Sequence, residues 1–464
     1  MKKSLTKALV LTAMGTMTFG LTACPNDNSG KTKITFWHTM GQNLQGVLDR
    51  IITQFCAENP DIEIEHAAQG GYGDLEEKLT AAIPAGTTPT MAYCYPDHVA
   101  EYMKANAVLD MTNYVTGEET GFDAEKDGAL EDIIDIYWQE GKEYGTPGIY
   151  SVPYAKSTEL MFYSKDIFED KEHHASGQNY TVPTTWEDME VLMAEMKADY
   201  PDIIPLGYDS DANLFITLCE QYGIPYTHID ANTGKGKADF NNSAAKAMVS
   251  KLVEWYNKGY ISTQGLSNGA YTSTQFTEGT LAMTIGSSGG TSYNYTANIQ
   301  KGIGTAFVPK PTDDSSKRFA FGGDTTKIND HIIMQGPSIC FFRKGKQAEK
   351  DAAWKFYKFM IKTMNTAQFS VESGYSPVRT SAFTCDAMVN YLNDPTLVDA
   401  KKLIQTTVSL YDQLTSRYYV SPAFHGSSTA RNQVDGIFAT VAMGVKSLDD
   451  AFAEAYTKAT FAMK

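Results

Sequence analysis

Apolar and polar residues alternate around Ile34 and Phe36. Apolar residues then recur at helical spacing through Leu44, Val47, Leu48, Ile51, Ile52 and Phe55, until Asn59-Pro60 interrupts them. Alternation sends successive side chains to opposite faces of a strand, whereas three-to-four spacing lines one side of a helix. Ile62 and Ile64 resume the alternation. A strand, a crossover helix and a second strand in so short a span form a βαβ unit, because two strands joined through a helix run parallel. The start of the chain is therefore predicted to be α/β, on a largely parallel sheet.

Helical patterns outnumber strands further on. Thr184 ahead of Trp186 and Glu187 reads as a capping box, and Met189, Leu192, Met193 and Met196 share one face of the helix it opens. Ser447 and Asp450 form another such cap, opening a final helix with Leu448, Phe452, Ala455 and Tyr456, after Gly444 ends the preceding one. A second, helix-rich region is implied. A chain of 464 residues has room for two or three compact units.

Hydrophobic residues make up 42% and charged residues 20%, which excludes a disordered or collagen-like chain. The formal charge of −16 repels phosphodiester backbones and argues against a nucleic-acid partner. Residues 1–23 carry Lys2, Lys3 and Lys7, an apolar stretch from Ala8 to Phe19, and the close Leu21-Thr22-Ala23-Cys24. Basic, apolar, then small is a secretory signal, and its close resembles the bacterial lipobox, in which the cysteine is lipidated and becomes the first mature residue. Cys24 is thus the expected lipid anchor, held on the extracytoplasmic side of a membrane by acyl chains rather than by a spanning helix. Residues 24–33 read as a flexible tether. Removing residues 1–23 takes away three lysines and no acid, so the mature charge falls from −16 to −19.

No phosphate-binding glycine loop, H-E-x-x-H, G-x-S-x-G or EF-hand pattern occurs. No cofactor or metal is implied, and Glu172, His173 and His174 read as a solvated loop. Gly286-Ser-Ser-Gly-Gly290 follows a strand-like run from Leu281 to Ile285; it is either a flexible turn or a nest of donors for a hydroxylated or anionic ligand. Paired carboxylates, which a glycosidase needs, are uninformative among 55 acidic residues.

Several segments, in order along the chain, resemble the extracellular solute-binding proteins of ABC importers, in the carbohydrate-binding family that includes maltose-binding and glycerol-3-phosphate-binding proteins. They include Ile34-Thr-Phe-Trp-His-Thr-Met40, Tyr72 to Pro89, Ser157 to Phe168, Pro183 to Asp188, Phe276 to Gly290, Gly336-Pro-Ser338 and Ser373-Gly-Tyr-Ser-Pro-Val378. The resemblance implies a two-lobe periplasmic-binding-protein fold that closes on one solute about a hinge. It implies a monomer that passes this solute to a membrane permease without chemistry. Residues 31–151 and 283–340 are then expected in the first lobe, and 154–282 and 341–464 in the second, with crossings near Pro153, Met283 and Cys340.

The glycerol-3-phosphate branch looks most similar. Its ligand-contacting pattern falls on Tyr72, Ser157, Trp186, Ser288, Gly336, Tyr375 and Arg431, with Asp97 displaced by Pro96 from the branch's acidic position. Tyr72, Trp186 and Tyr375 suit the apolar faces of a sugar or polyol, and Asp97 its hydroxyls. Arg431 would pair a phosphate, with Ser288 and the Gly336 N–H completing the cage. A secreted glycan-acting hydrolase is the competing reading, and an adhesin without a small ligand is a third.

Overall fold

The computed structural model of the chain describes residues 30–464. The expected signal peptide and Cys24 lie outside the described residues. Strand β1 (Thr32–His38) takes up the end of the segment read as tether, since Thr32 and Lys33 already pair with Ile62 and Glu63. There follow β2 (Ile62–Ala68), β3 (Met91–Cys94), β4 (Val152–Pro153), β5 (Ser157–Ser164) and β6 (Ile204–Tyr208). A small hairpin of β7 (Thr227–Ile229) and β8 (Gly236–Ala238) precedes β9 (Ile261–Thr263), β10 (Leu281–Ser287) and β11 (Ile303–Phe307). The last strands among the described residues are β12 (Ile332–Gln335), β13 (Ser338–Phe341) and β14 (Tyr418–Tyr419).

The βαβ start is present. β1 and β2 pair in parallel, and the helix Gln42–Glu58 between them buries Val47, Leu48, Ile51, Ile52 and Phe55, the stripe that the spacing marks. Two larger sheets organise the chain, each with its own helices. The first has the order β2-β1-β3-β13-β4; the second has the order β14-β12-β5-β10-β6-β9, with β11 also paired to β5. This is the two-lobe α/β architecture. The helix Trp186–Asp199 belongs to the second lobe; its cap is Thr185, whose hydroxyl accepts from Asp188 N, one residue after the Thr184 expected from the sequence. Ser447 caps the final helix, Leu448–Ala462, as expected.

The lobe boundaries differ from those expected. Met283 is no crossing: it sits inside β10, facing Tyr163 on β5 and Leu206 on β6, so 283–335 belongs to the second sheet. The segment after 341 first returns to the first lobe, where the helix Gln347–Met360 packs on β1 and Arg379 bonds to Asp127 O and Ala129 O, and then rejoins the second, where β14 pairs with β12 and the helix Ser427–Asp435 packs on Asp211–Gln221. The physical reason is that an apolar run such as Leu281–Ile285 specifies a buried strand, not the sheet that receives it.

The chain passes between sheets at residues 154–156 and at Gly336-Pro337, and a bond from Ser376 N to Lys156 O lies beside both. Lys156, fully buried, holds these crossings together. Its ammonium donates to Glu140 Oε2 at 2.7 Å and to Gly336 O at 2.9 Å, while Ser338 Oγ donates to the same Glu140 oxygen at 2.6 Å. Gly336 has φ +81, and a Cβ there would lie 2.0 Å from Ala155 O, so this crossing is restricted to glycine.

Candidate functional site

A cleft of about 790 Å³ lies between the lobes. Its position follows from strand direction. β3 leads into Tyr95, β6 leads into Asp209 and β10 ends in Ser287, and ligands of open α/β sheets sit beyond the carboxyl ends of parallel strands. β5 runs antiparallel to β10, so its beginning, Ser157 and Glu159, reaches the same space.

The first lobe contributes three aromatic rings. Tyr72 opens the helix Tyr72–Ala85, and its ring centroid is 4.3 Å from that of Tyr95. Tyr375 follows the left-handed Gly374 that ends the helix Thr363–Ser373 and lines the cleft with Tyr72. A Cβ on Gly289 would lie 2.6 Å from the Tyr375 ring, so this part of the glycine-serine run is open because an aromatic face rests against it. Burial pushes the phenols of Tyr72, Tyr95 and Tyr375 above their ordinary value, so they remain neutral hydroxyls that both donate and accept.

The second lobe supplies a hydrogen-bonded chain. Arg431 donates to Asn213 Oδ1, Asn213 Nδ2 donates to Glu159 Oε1 at 2.8 Å, and Tyr208 donates to Glu159 Oε2. Burial raises the Glu159 carboxyl to about 7, against the opposing effect of these hydrogen bonds and of the Arg431 charge; nearby Asp209 adds to the rise. Asp209 is itself raised by burial, although Thr272 N donates to it at 2.9 Å.

A pH dependence follows. An acid whose folded-state pKa exceeds its unfolded value of 4.5 favours the folded state below 4.5, and that stabilisation is lost as pH rises through about 7. For Glu159 the difference is about 3 kcal/mol. Glu159→Gln is therefore expected to gain stability relative to wild type as pH rises from 5 to 8. Thermal unfolding of both proteins at the two pH values checks this, and parallel pH curves would refute it.

Of the residues singled out by sequence, Tyr72, Asp97, Ser157, Tyr375 and Arg431 line the cleft together. Trp186 does not: it is fully buried, its indole N–H donates to Gln221 Oε1 at 2.7 Å, and its ring packs 6.5 Å from Trp255 in the second-lobe core. Ser288 is also spent internally, its Oγ accepting from Thr158 N at 3.1 Å and Tyr411 Oη at 2.7 Å, while neighbouring Ser287 and Gly289 face the cleft. Gly336 is a crossing residue whose neighbour Gln335 reaches the cleft instead. His174, read as solvated, is buried and stacks 3.7 Å from Tyr180; His173 and Glu172 are exposed.

Sequence reasoning missed Tyr95, Glu159, Asn213, Tyr226, Tyr271 and Tyr293, all of which line the cleft. Only Asn213 carried a local signal, the Asp-Ser-Asp turn that ends an apolar strand and caps a helix. Beside the cleft the lobes touch directly: Glu101 accepts from His425 Nδ1 at 2.8 Å, and Ser428 Oγ donates to Glu76 at 3.0 Å.

The family model for bacterial extracellular solute-binding proteins matches residues 50–398. The chain belongs to that family. This solute-binding protein is 28% identical over 364 residues to the sn-glycerol-3-phosphate-binding periplasmic protein of Shigella flexneri, a match covering 76% of this chain and 75% of that one. In fold it is similar to the sugar-binding protein MalE of Xanthomonas citri (TM-score 0.70, 19% identity, 93% of this chain and 97% of the other). It is likewise similar to UgpB of Mycobacterium tuberculosis, solved with glycerophosphocholine (TM-score 0.69, 17% identity, 93% and 98%). No helix among the described residues is long and apolar enough to cross a membrane.

Proposed function

We propose that this solute-binding protein is the lipid-anchored receptor of an ABC importer, and that it captures a carbohydrate between its lobes and releases it unaltered to the permease. The observation that carries the reading is the shared lining of the cleft: Tyr72, Tyr95 and Asp97 come from one lobe, and Glu159, Asp209 and Asn213 from the other. A solute touching both sets binds the closed arrangement more tightly than the open one, which is all that capture requires. Aromatic faces beside carboxylates and amides match the C–H faces and hydroxyls of a sugar. Relatives with sugar-binding and glycerol-3-phosphate-binding names support the carbohydrate class. The hydrolase reading is not favoured: Glu159 is the cleft acid raised to about 7, and both its oxygens already accept hydrogen bonds within the protein.

If both lobes hold one solute, Asp97→Ala and Asp209→Ala should each weaken saccharide binding about tenfold, since each removes an acceptor for a solute hydroxyl from a different side. Calorimetric titration checks this, and an effect confined to one lobe would contradict a shared site. Cys24→Ser is expected to move the protein from the membrane to the soluble fraction; unchanged fractionation would exclude Cys24 as the anchor.

A further inference from the structure

We infer that the captured solute is an uncharged saccharide of more than one ring, and that the cleft rejects phosphorylated solutes. This rests on the capture reading above and adds its substrate class.

Charge is the first ground. The lining includes the carboxylates of Asp97, Glu140, Glu159 and Asp209, and Arg431 is its sole cation among the described residues. Lys156 neutralises Glu140 from behind, the Arg431 charge acts on Glu159, and neither Asp97 nor Asp209 forms an ion pair among the described residues, so both face the solute without a paired cation. A phosphate dianion would enter a space whose fixed charge is of its own sign, on a protein that is acidic throughout.

The helix ends supply a second, independent ground. Helix N-termini bind phosphate when their amides are free. Four helices of nine or more residues open on this cleft, and each already holds a carboxylate. Asp74 accepts from Gly71 N at 2.8 Å ahead of Tyr72–Ala85. Asp97 accepts from His98 N at 3.1 Å at the start of Pro96–Lys104, whose first residue has no N–H. Asp435 accepts from Ala212 N at 2.9 Å in Asp211–Gln221, and Glu101 accepts from Gly426 N ahead of Ser427–Asp435. The remaining parts of the expected phosphate cage, Ser288 and Gly336, are turned away from the cleft.

Size and aromatic surface set the length. Tyrosine rings line the cleft on both sides, and two of them, Tyr271 and Tyr293, are 58% and 71% exposed although they border a ligand space. The inner rings of Tyr72, Tyr95 and Tyr375 suffice for one sugar; Tyr271 and Tyr293 each add uncovered aromatic surface along the lining that a second or third ring would cover. The 790 Å³ volume is in the upper range for small-molecule sites and far exceeds what a three-carbon phosphate fills.

The test is a calorimetric titration of the mature chain with neutral glucose, galactose, mannose and xylose saccharides of one to five rings, alongside sn-glycerol 3-phosphate, glucose 6-phosphate and choline. A neutral oligosaccharide should bind at least about 100-fold more tightly than any charged compound. Tyr271→Ala with Tyr293→Ala should weaken that oligosaccharide about tenfold and leave the monosaccharide unchanged. Both positions are exposed, so the fold is retained. Equal or tighter binding of a phosphate would overturn the charge argument and leave carbohydrate capture standing, whereas choline bound more tightly than every saccharide would overturn the claim that the solute is uncharged. A monosaccharide bound as tightly as its oligomers would overturn the length argument. Binding of none of the saccharides, neutral or phosphorylated, would remove the capture reading and this inference with it.

Discussion

Replacing Lys156 with Ala is expected to lower the unfolding free energy by about 3–5 kcal/mol, the range measured when one partner of a buried ion pair is removed. Lys156 is fully buried and Glu140 is 3% exposed, so neither charge can turn to water when its partner disappears. After the substitution Glu140 keeps only the Ser338 hydroxyl at 2.6 Å, and the Gly336 carbonyl loses its 2.9 Å donor. Lys156, Gly336 and Ser338 belong to the segments that cross between the lobes, so the damage falls on the hinge. Lys156→Met combined with Glu140→Gln should recover much of the loss, because it removes both charges together. Equilibrium urea unfolding checks the pair of results. A loss under about 1 kcal/mol for Lys156→Ala would show that the hinge does not depend on this ion pair.

The second large effect is on affinity. Tyr72→Ala with Tyr375→Ala is expected to weaken saccharide binding about 100-fold or more, because buried aromatic anchors carry a disproportionate share of binding energy. Tyr72 lies against Tyr95, and Tyr375 lines the same side of the cleft, so the variant strips most of the inner aromatic surface. Tyr72→Phe separates the face from the hydroxyl: it keeps the stacking surface and should cost only about tenfold. Calorimetry with the preferred saccharide measures both. If the double variant binds like wild type, these rings are not the ligand surface.

Much of the scaffold was legible in the residues. Apolar periodicity gave the opening strand-helix-strand, and Ser447 marked the start of the last helix because cap chemistry is local. The lobe boundaries were not legible, since whether β10 joins β5 and β6 or the other sheet depends on partners 77 to 128 residues away. In the site, Tyr72 and Tyr375 stand beside glycines that mark turns, and turns carry function. Trp186 misled because an aromatic at a helix start serves equally as a stacking plate or as core, and Gln221, its hydrogen-bond partner, is 35 residues away. Glu159 was hidden inside an eight-residue strand, where nothing local distinguishes a buried acid facing a cleft from a polar residue facing solvent.

The most direct trial of the account is equilibrium dialysis of the mature chain against a mixture of neutral oligosaccharides, with the retained sugar identified by mass after the protein is denatured. The account predicts one saccharide per chain, enriched from the mixture and recovered at its starting mass. No enrichment, or recovery as shorter fragments, would contradict a receptor that closes on its solute and leaves it whole.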